Sequence, residues 1–249
     1  MTEQQHIIID KNASVVTIRL NRRAKKNAFT QQMYSEATAA LKAADEDETI
    51  KVVVFEGSGD SFSAGNDLND FLSIESLDET APPFKFLHLL NKVKVTLVAK
   101  VNGLAIGIGT TLLLHCDLVY AADNAVFALP FVQLGLLPEA GSSLLLPRIM
   151  GHQRASELLL LGDSFSANKA QQYGLVNDVV EADKLNTRVD EVVEHLVKQS
   201  RGALRTSKKL IKTESDTVSE RISLEAGYFA KALSSDTAKQ AIAAKLKKN

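Results

Sequence analysis

Glu139 is an acidic residue set between two apolar runs. It follows Pro138 and precedes Ala140, Gly141, Ser142 and Ser143, with Val132 to Leu137 on one side and Leu144 to Pro147 on the other. Two kinds of chemistry fit that setting. Proline, then an acid, then helix formers is the pattern of a helix N-terminus, where a carboxylate complements the helix dipole. Alternatively, a carboxylate lodged among apolar side chains has its pKa raised by desolvation and becomes suited to taking up and returning a proton.

Other stretches carry groups that can bind or polarise a substrate. Residues 57–68, GSGDSFSAGNDL, are mostly small, and Gly65 permits backbone angles that let a ligand come close. Residues 102–114, NGLAIGIGTTLLL, place spaced glycines between an apolar strand and an apolar helix, where free N–H groups can hold a negative oxygen. The spacing is G-x-x-x-G-x-G, which is not the dinucleotide fingerprint. These glycines also suit close helix packing. In Asn21 to Asn27, four cations fall within five positions. That is either a solvated connector or a cradle for phosphates. Asp67 and Asp117 read as turn or cap residues, His115 and Cys116 as core, and Ser142 and Ser143 as helix-start residues with no triad partners.

The elements that must position these groups alternate between strand and helix. His6–Ile9 and Ser14–Leu20 read as a hairpin with Lys11-Asn12-Ala13 between them. Thr30 can cap a helix running to about Asp45, with Met33, Ala37, Ala40, Leu41 and Ala44 on one face. Val52–Phe55 and Thr96–Val101 are apolar enough to be strands buried on both faces, so the fold class is α/β. Residues 73–83, acidic and ending in two prolines, predict a surface loop suited to act as a lid. Helix is predicted over 84–93 and 154–161. Ser166 caps a helix over 167–173 that ends at Gly174, and further helices come at about 183–199, 203–213 and 217–245.

Composition limits the function. Twenty-nine basic residues against 30 acidic leave no global field directed at nucleic acid or membrane. The single cysteine excludes a disulfide framework and a cysteine-rich metal site. No run reads as a membrane span, and the N-terminus does not read as a secretion signal. The C-terminus, KLKKN, is not a peroxisomal address of the SKL type. The expectation is a cytoplasmic protein.

Five segments together resemble one family over nearly the whole chain: LNRRAKKNAF (20–29), FSAGNDLNDF (62–71), KVNGLAIGIGTTLLLHCDLVYAADNAVFALP (100–130), LGLLPEAGSS (134–143) and ANKAQQYGLVNDVV (167–180). The resemblance is to the crotonase, or enoyl-CoA hydratase/isomerase, superfamily. It implies a core of ββα turns wound into a spiral over residues 1–182 and a helical trimerisation region over 183–249. It also implies a CoA-thioester substrate. By motif position, the N–H groups of Asn66 and Ile108 hold the thioester oxygen. The resemblance places Arg23, Lys25 and Lys26 near the CoA phosphates and Ala64 near the adenine. Gly65, Asp67, Leu68, Gly107 and Phe131 fall along the substrate, and Phe229 and Lys245 complete a neighbouring subunit's CoA site.

Departures from the family pattern narrow the reaction. Hydratases of this type carry two glutamates, where this chain has Thr111 and Phe131. The usual PGxGG motif here is Pro138-Glu139-Ala140-Gly141-Ser142, which, with FSAGNDL, resembles the monofunctional Δ3,Δ2-enoyl-CoA isomerases of the peroxisomal type. The expectation is a chain without the acyl-CoA-binding module that some relatives carry. The implied activity is a 1,3-proton shift by Glu139 alone, with no metal and no cofactor beyond the CoA of the substrate. The implied assembly is a homotrimer or dimer of trimers. Hydration with a substitute base, thioester hydrolysis and a silent CoA-binding module are the alternatives.

Overall fold

The computed structural model describes residues 5–72, 78–212, 217–233, 235, 236, 238 and 240. It opens on an antiparallel hairpin, β1 (Ile7–Asn12) and β2 (Val15–Leu20). The turn is Ala13–Ser14, one step later than the sequence suggests. Lys11 and Asn12 remain in the strand because they pair with Val16 and Val15. Helix α1 (Gln31–Glu46) comes next, its first turn closed by the Thr30 hydroxyl, which accepts the Met33 N–H at 3.2 Å. Its buried face is the expected one with Tyr34 added.

One pattern then repeats. The first turn is β3 (Val52–Gly57), β4 (Ser61–Ser63), α2 (Leu68–Leu72) and α3 (Pro82–Lys92). The second is β5 (Thr96–Val101), β6 (Leu104–Ile106) and the short α4 (Ile108–Thr111), which tightens into a 3-10 turn over Leu112–His115. The third is β7 (Leu118–Ala122), β8 (Val126–Ala128) and α5 (Ser142–Met150). The chain continues through α6 (His152–Ser156), β9 (Phe165–Ser166), α7 (Ala167–Gln172), β10 (Asp178–Val180), α8 (Leu185–Val197), α9 (Arg201–Lys212) and α10 (Val218–Leu233).

The first strand of each pair joins a six-stranded sheet in the order β1-β2-β3-β5-β7-β10, and the second joins a four-stranded sheet in the order β4-β6-β8-β9. From β2 to β10 the larger sheet is parallel. This is the ββα spiral of the crotonase fold. Its strands alternate strictly. Val53, Phe55, Leu97 and Ala99 face the main core with α1, while Val52, Val54 and Val98 face Leu185 and Val189 of α8. Both faces of the parallel sheet are covered, which is why these strands read as continuous apolar runs.

Pro82 and Pro83 belong to the first turn of α3 rather than to a loop, since a missing N–H costs nothing there. Residues 73–77 of the segment read as a lid, and Lys245, lie outside the described residues. Helix α9 has few apolar residues and is fastened by a buried cation instead. Lys208 Nζ donates to Val95 O and to Asp117 Oδ2, both at 2.7 Å, and the same carboxylate oxygen accepts the Leu97 N–H.

Candidate functional site

The strands β4, β6 and β8 lie side by side and parallel, so the segments after them leave the sheet at one edge. Asn66 comes after β4, Ile108 after β6, and Phe131 and Glu139 after β8. A cavity of about 600 Å3 opens there, walled by Phe84, Leu87, Phe131, Leu136, Leu137, Leu144 and Leu145 and lined also by Asn66, His88, Asn91 and Glu139. The walls are apolar, and Glu139 is the single carboxylate among the described lining residues.

Glu139 is not in the first turn of a helix. Gly141 occupies the N-cap and α5 starts at Ser142, so the helix-dipole reading is replaced by a loop carboxylate. The loop is held in an unusual shape. Ala140 has φ 55° and Gly141 φ 69°, two left-handed residues in succession, and for alanine that conformation costs about 1–2 kcal/mol. His115 holds it in place through a 2.9 Å hydrogen bond between Nε2 and the Ala140 carbonyl. Burial pulls the His115 pKa below its ordinary value, so the ring is neutral and Nε2 carries the proton it donates. This role of His115 has no local signature beyond a histidine in an apolar run.

The Glu139 side chain accepts one hydrogen bond, from the Thr111 hydroxyl to Oε1. Burial pushes the carboxyl pKa up, and the Thr111 hydrogen bond opposes the rise without cancelling it. In the sequence, Thr111 stands out only as the place where hydratases have a glutamate. Its hydroxyl instead donates to Glu139, a glutamate at a different position.

Two glycine reversals, each followed by an N–H that no described residue accepts, come after β4 and β6. Gly65 has φ 97° and Gly107 φ 54° with ψ −117°, conformations suited to glycine alone, and each immediately precedes a donor. A Cβ on Gly65 would stand 3.0 Å from the Ile106 carbonyl, so the two reversals pack directly on each other. Phe29 N–H donates to Gly65 O and Asp67 N–H to Phe29 O, which leaves the Asn66 N–H pointing out of the pairing. The N–H groups of Asn66 and Ile108 meet no acceptor among the described residues.

The basic loop is ordered by a residue that sequence reading passes over. Asn27 is fully buried, donates to Ser58 O at 2.9 Å and Ser61 O at 2.7 Å, and accepts the Arg22 N–H at 2.8 Å. Its φ of 58°, with Lys26 at 49°, is the left-handed geometry that asparagine tolerates, and that is the one signal in the sequence. Carboxylates meet two of the four cations. Arg22 pairs with Asp67 at 2.6 Å and Lys26 with Asp60. Arg23 and Lys25 are exposed on a single 3-10 turn. The mutual repulsion of this loop is therefore half answered from within the protein. Ala64 lies against it, its N–H donating to Lys26 O at 2.8 Å.

The remaining candidates fall into place around this edge or away from it. Asp67 takes Arg22 on one oxygen and caps α2 with the other, through Asn69 and Asp70 N–H. Leu68 is exposed at the start of α2, while Phe131 is buried against the cavity. Phe229, on α10, is 68% exposed.

The comparisons with known proteins agree with this architecture. A family model described as Enoyl-CoA hydratase/isomerase matches residues 10–249. Enoyl-CoA delta isomerase 2 of Rattus norvegicus is 39% identical over 216 residues, 84% of this chain; the chain spans 55% of that protein's length. The 2,3-dehydroadipyl-CoA hydratase of Escherichia coli (strain K12) is 35% identical over 225 residues, covering 89% of this chain and 85% of the relative. A protein from Magnetospirillum magneticum AMB-1, described as an enoyl-CoA hydratase/carnithine racemase, has a solved structure with TM-score 0.95 at 37% identity. That match covers 99% of this chain and 98% of the other. An isomerase and a hydratase stand at similar identity, so the choice of reaction rests on the site.

The Thr111–Glu139 hydrogen bond favours the ionised carboxyl, so its removal must move the Glu139 pKa further up. In Thr111→Val, the acidic limb of the pH–rate profile should shift to higher pH. A limb that stays put, or moves down, would show that the hydroxyl does not bear on the carboxylate.

Proposed function

The chain belongs to the enoyl-CoA hydratase/isomerase family, and on that premise we propose that it is a Δ3,Δ2-enoyl-CoA isomerase. One observation carries the choice: the cavity lining holds one carboxylate, Glu139, with its pKa raised by burial. A 1,3-proton shift needs one proton carrier, whereas hydration needs groups that position a water as well. Thr111 and Phe131 stand where a second and third carboxylate would serve that purpose.

The steps build on the geometry. Glu139 as carboxylate removes a proton from C2 of a 3-enoyl thioester, which the carbonyl and the double bond both acidify. The C–H electrons enter a dienolate, and its oxygen is held by the N–H groups of Asn66 and Ile108. Preorganised donors of this kind are worth about 2.7–4 kcal/mol each. The carboxylic acid then delivers the proton to C4, the double bond settles between C2 and C3, and Glu139 is again a carboxylate. Apolar walls keep water from the dienolate. No metal or redox group enters these steps.

The remaining assignments are part of the same proposal. Arg23 and Lys25 attract the CoA phosphates, with Lys26 contributing less because Asp60 already meets its charge. Ala64, Gly65, Asp67, Leu68, Gly107 and Phe131 border the bound thioester. The chain assembles as a trimer or dimer of trimers and works in the cytoplasm. Ile211, Ile222 and Phe229 support the assembly, since such large apolar side chains gain from burial against a neighbouring copy. One observation favours hydration as a second reading: His88 of α3 borders the same cavity and brings an imidazole to it. Product analysis with 3-enoyl-CoA and 2-enoyl-CoA separates the two reactions.

Glu139→Gln keeps the acceptor for Thr111 and removes the proton carrier. Its kcat on 3-enoyl-CoA should fall by roughly 10²–10⁴, with acyl-CoA affinity little changed. A raised folded-state pKa contributes stability below the unfolded pKa and loses it as pH rises through the folded value. The ionised carboxylate is thus a burden at neutral pH, and the variant should melt no lower than the wild type there. Wild-type turnover by the folded variant would refute the assignment.

Arg23→Ala combined with Lys25→Ala should raise KM at low salt and leave kcat nearly intact, an effect that fades as salt rises. An unmoved KM at low salt would make the loop a connector.

For the assembly, sedimentation at micromolar concentration should give a trimer or hexamer. A monomer there would remove the idea.

A further inference from the structure

Tyr34 lies on α1, within the main core, and the proton shift does not use it. Its ring is 2% exposed, stacked on Phe29 with centroids 4.8 Å apart and tilted against Phe86 at 5.7 Å. Phenylalanine would satisfy those contacts. The hydroxyl has a separate function: it donates to Asn66 Oδ1 at 2.5 Å. Burial, and then the charge of Glu139, push the phenol pKa well above its ordinary value, so the hydroxyl stays a donor at every working pH.

A carboxamide has an acceptor end and a donor end. With Oδ1 turned to Tyr34, the amino group of Asn66 points the other way. Nδ2 meets no acceptor among the described residues and is not one of the side-chain atoms closed off from solvent. Asn66 borders the cavity that holds Glu139, its backbone is pinned by the Phe29 bridge, and its carboxamide oxygen is held by Tyr34. We propose that the Asn66 carboxamide is a third donor of the site, aimed by Tyr34 at the reacting acyl group, where it stabilises the negative charge that develops. Tyr34 is then a positioning residue that acts through Asn66. The inference rests on the acyl-CoA reading of the site, and it holds for any reaction that passes through an enolate.

Asn66→Ala tests it cleanly, because alanine keeps the backbone N–H and loses the carboxamide. The probe is acetoacetyl-CoA, whose ionisation to the enolate in the site is read by ultraviolet absorbance without turnover. Asn66→Ala should weaken enolate formation by about 10- to 100-fold. Tyr34→Phe should weaken it by roughly 5-fold, and the double variant should match Asn66→Ala alone. In 3-enoyl-CoA turnover the same losses should fall on kcat rather than KM. Asn66→Asp retains the acceptor for Tyr34 but has no amino group, and should lose at least as much as alanine even if Tyr34→Phe does not fold. Full enolate formation in Asn66→Ala overturns the proposal, as does a wild type that neither binds nor ionises the probe. A Tyr34→Phe loss that persists undiminished beside Asn66→Ala overturns the positioning role. A wild type that ionises the probe but does not move a 3-enoyl double bond would sink the isomerase reading and leave this one intact.

Discussion

A carboxylate kept among apolar side chains with one hydrogen bond is the constraint on which the rest of this structure depends. An ionised group in such a place is expensive, and proteins ordinarily answer with a cation beside it. A lysine or arginine next to Glu139 would lower its pKa and make it a poorer proton carrier for the proposed reaction. The described lining of the cavity contains neither. Cations are placed elsewhere and matched there: Arg22 with Asp67, Lys26 with Asp60, Lys100 and Arg19 with Glu56, Lys208 with Asp117. The small adjustment that Glu139 does receive is neutral, from Thr111, and its loop is set by a histidine that burial keeps uncharged.

The spiral makes that arrangement buildable. Each turn sends one strand to the large sheet, where side chains on both faces anchor it, and a short second strand to the small sheet. The short strands end side by side, so the segment after each one is delivered to a common edge without a long loop. Steric demands then take over. Gly65 and Gly107 reverse the chain against one another, and the N–H of the residue after each meets no acceptor among the described residues. The site is thus made of backbone held by packing, and of very few side chains.

Most of the frame was legible because its signals are local. Thr30 is a cap with a helical stripe behind it, and Val52 to Phe55 is an apolar run of strand length; both lie where the sequence places them. The hairpin turn slipped by a step, since Lys11 and Asn12 look like turn residues and only the pairing register says otherwise. Pro82 and Pro83 misled in the opposite sense, because a helix start and a loop end present the same letters. The site was legible only in part. Glu139 could be singled out by its neighbours, but its place before α5, rather than within it, depends on two left-handed residues. One of these is an alanine that no propensity favours there. Asn27, His115 and Tyr34 matter through partners 25 to 34 positions away, and no short window along the chain contains both ends of those contacts.

The described lining of the site offers one carboxylate, set among leucine and phenylalanine side chains. Under the proposed reaction, that confers a kind of memory. The hydrogen placed on C4 is the one that left C2, carried on an oxygen that never leaves the loop. The loop stands on one side of the cavity, so under that reaction both transfers happen across the same face of the substrate, and the position of a single side chain selects which C2 hydrogen is removed. The arrangement of strands thus determines stereochemistry as well as rate.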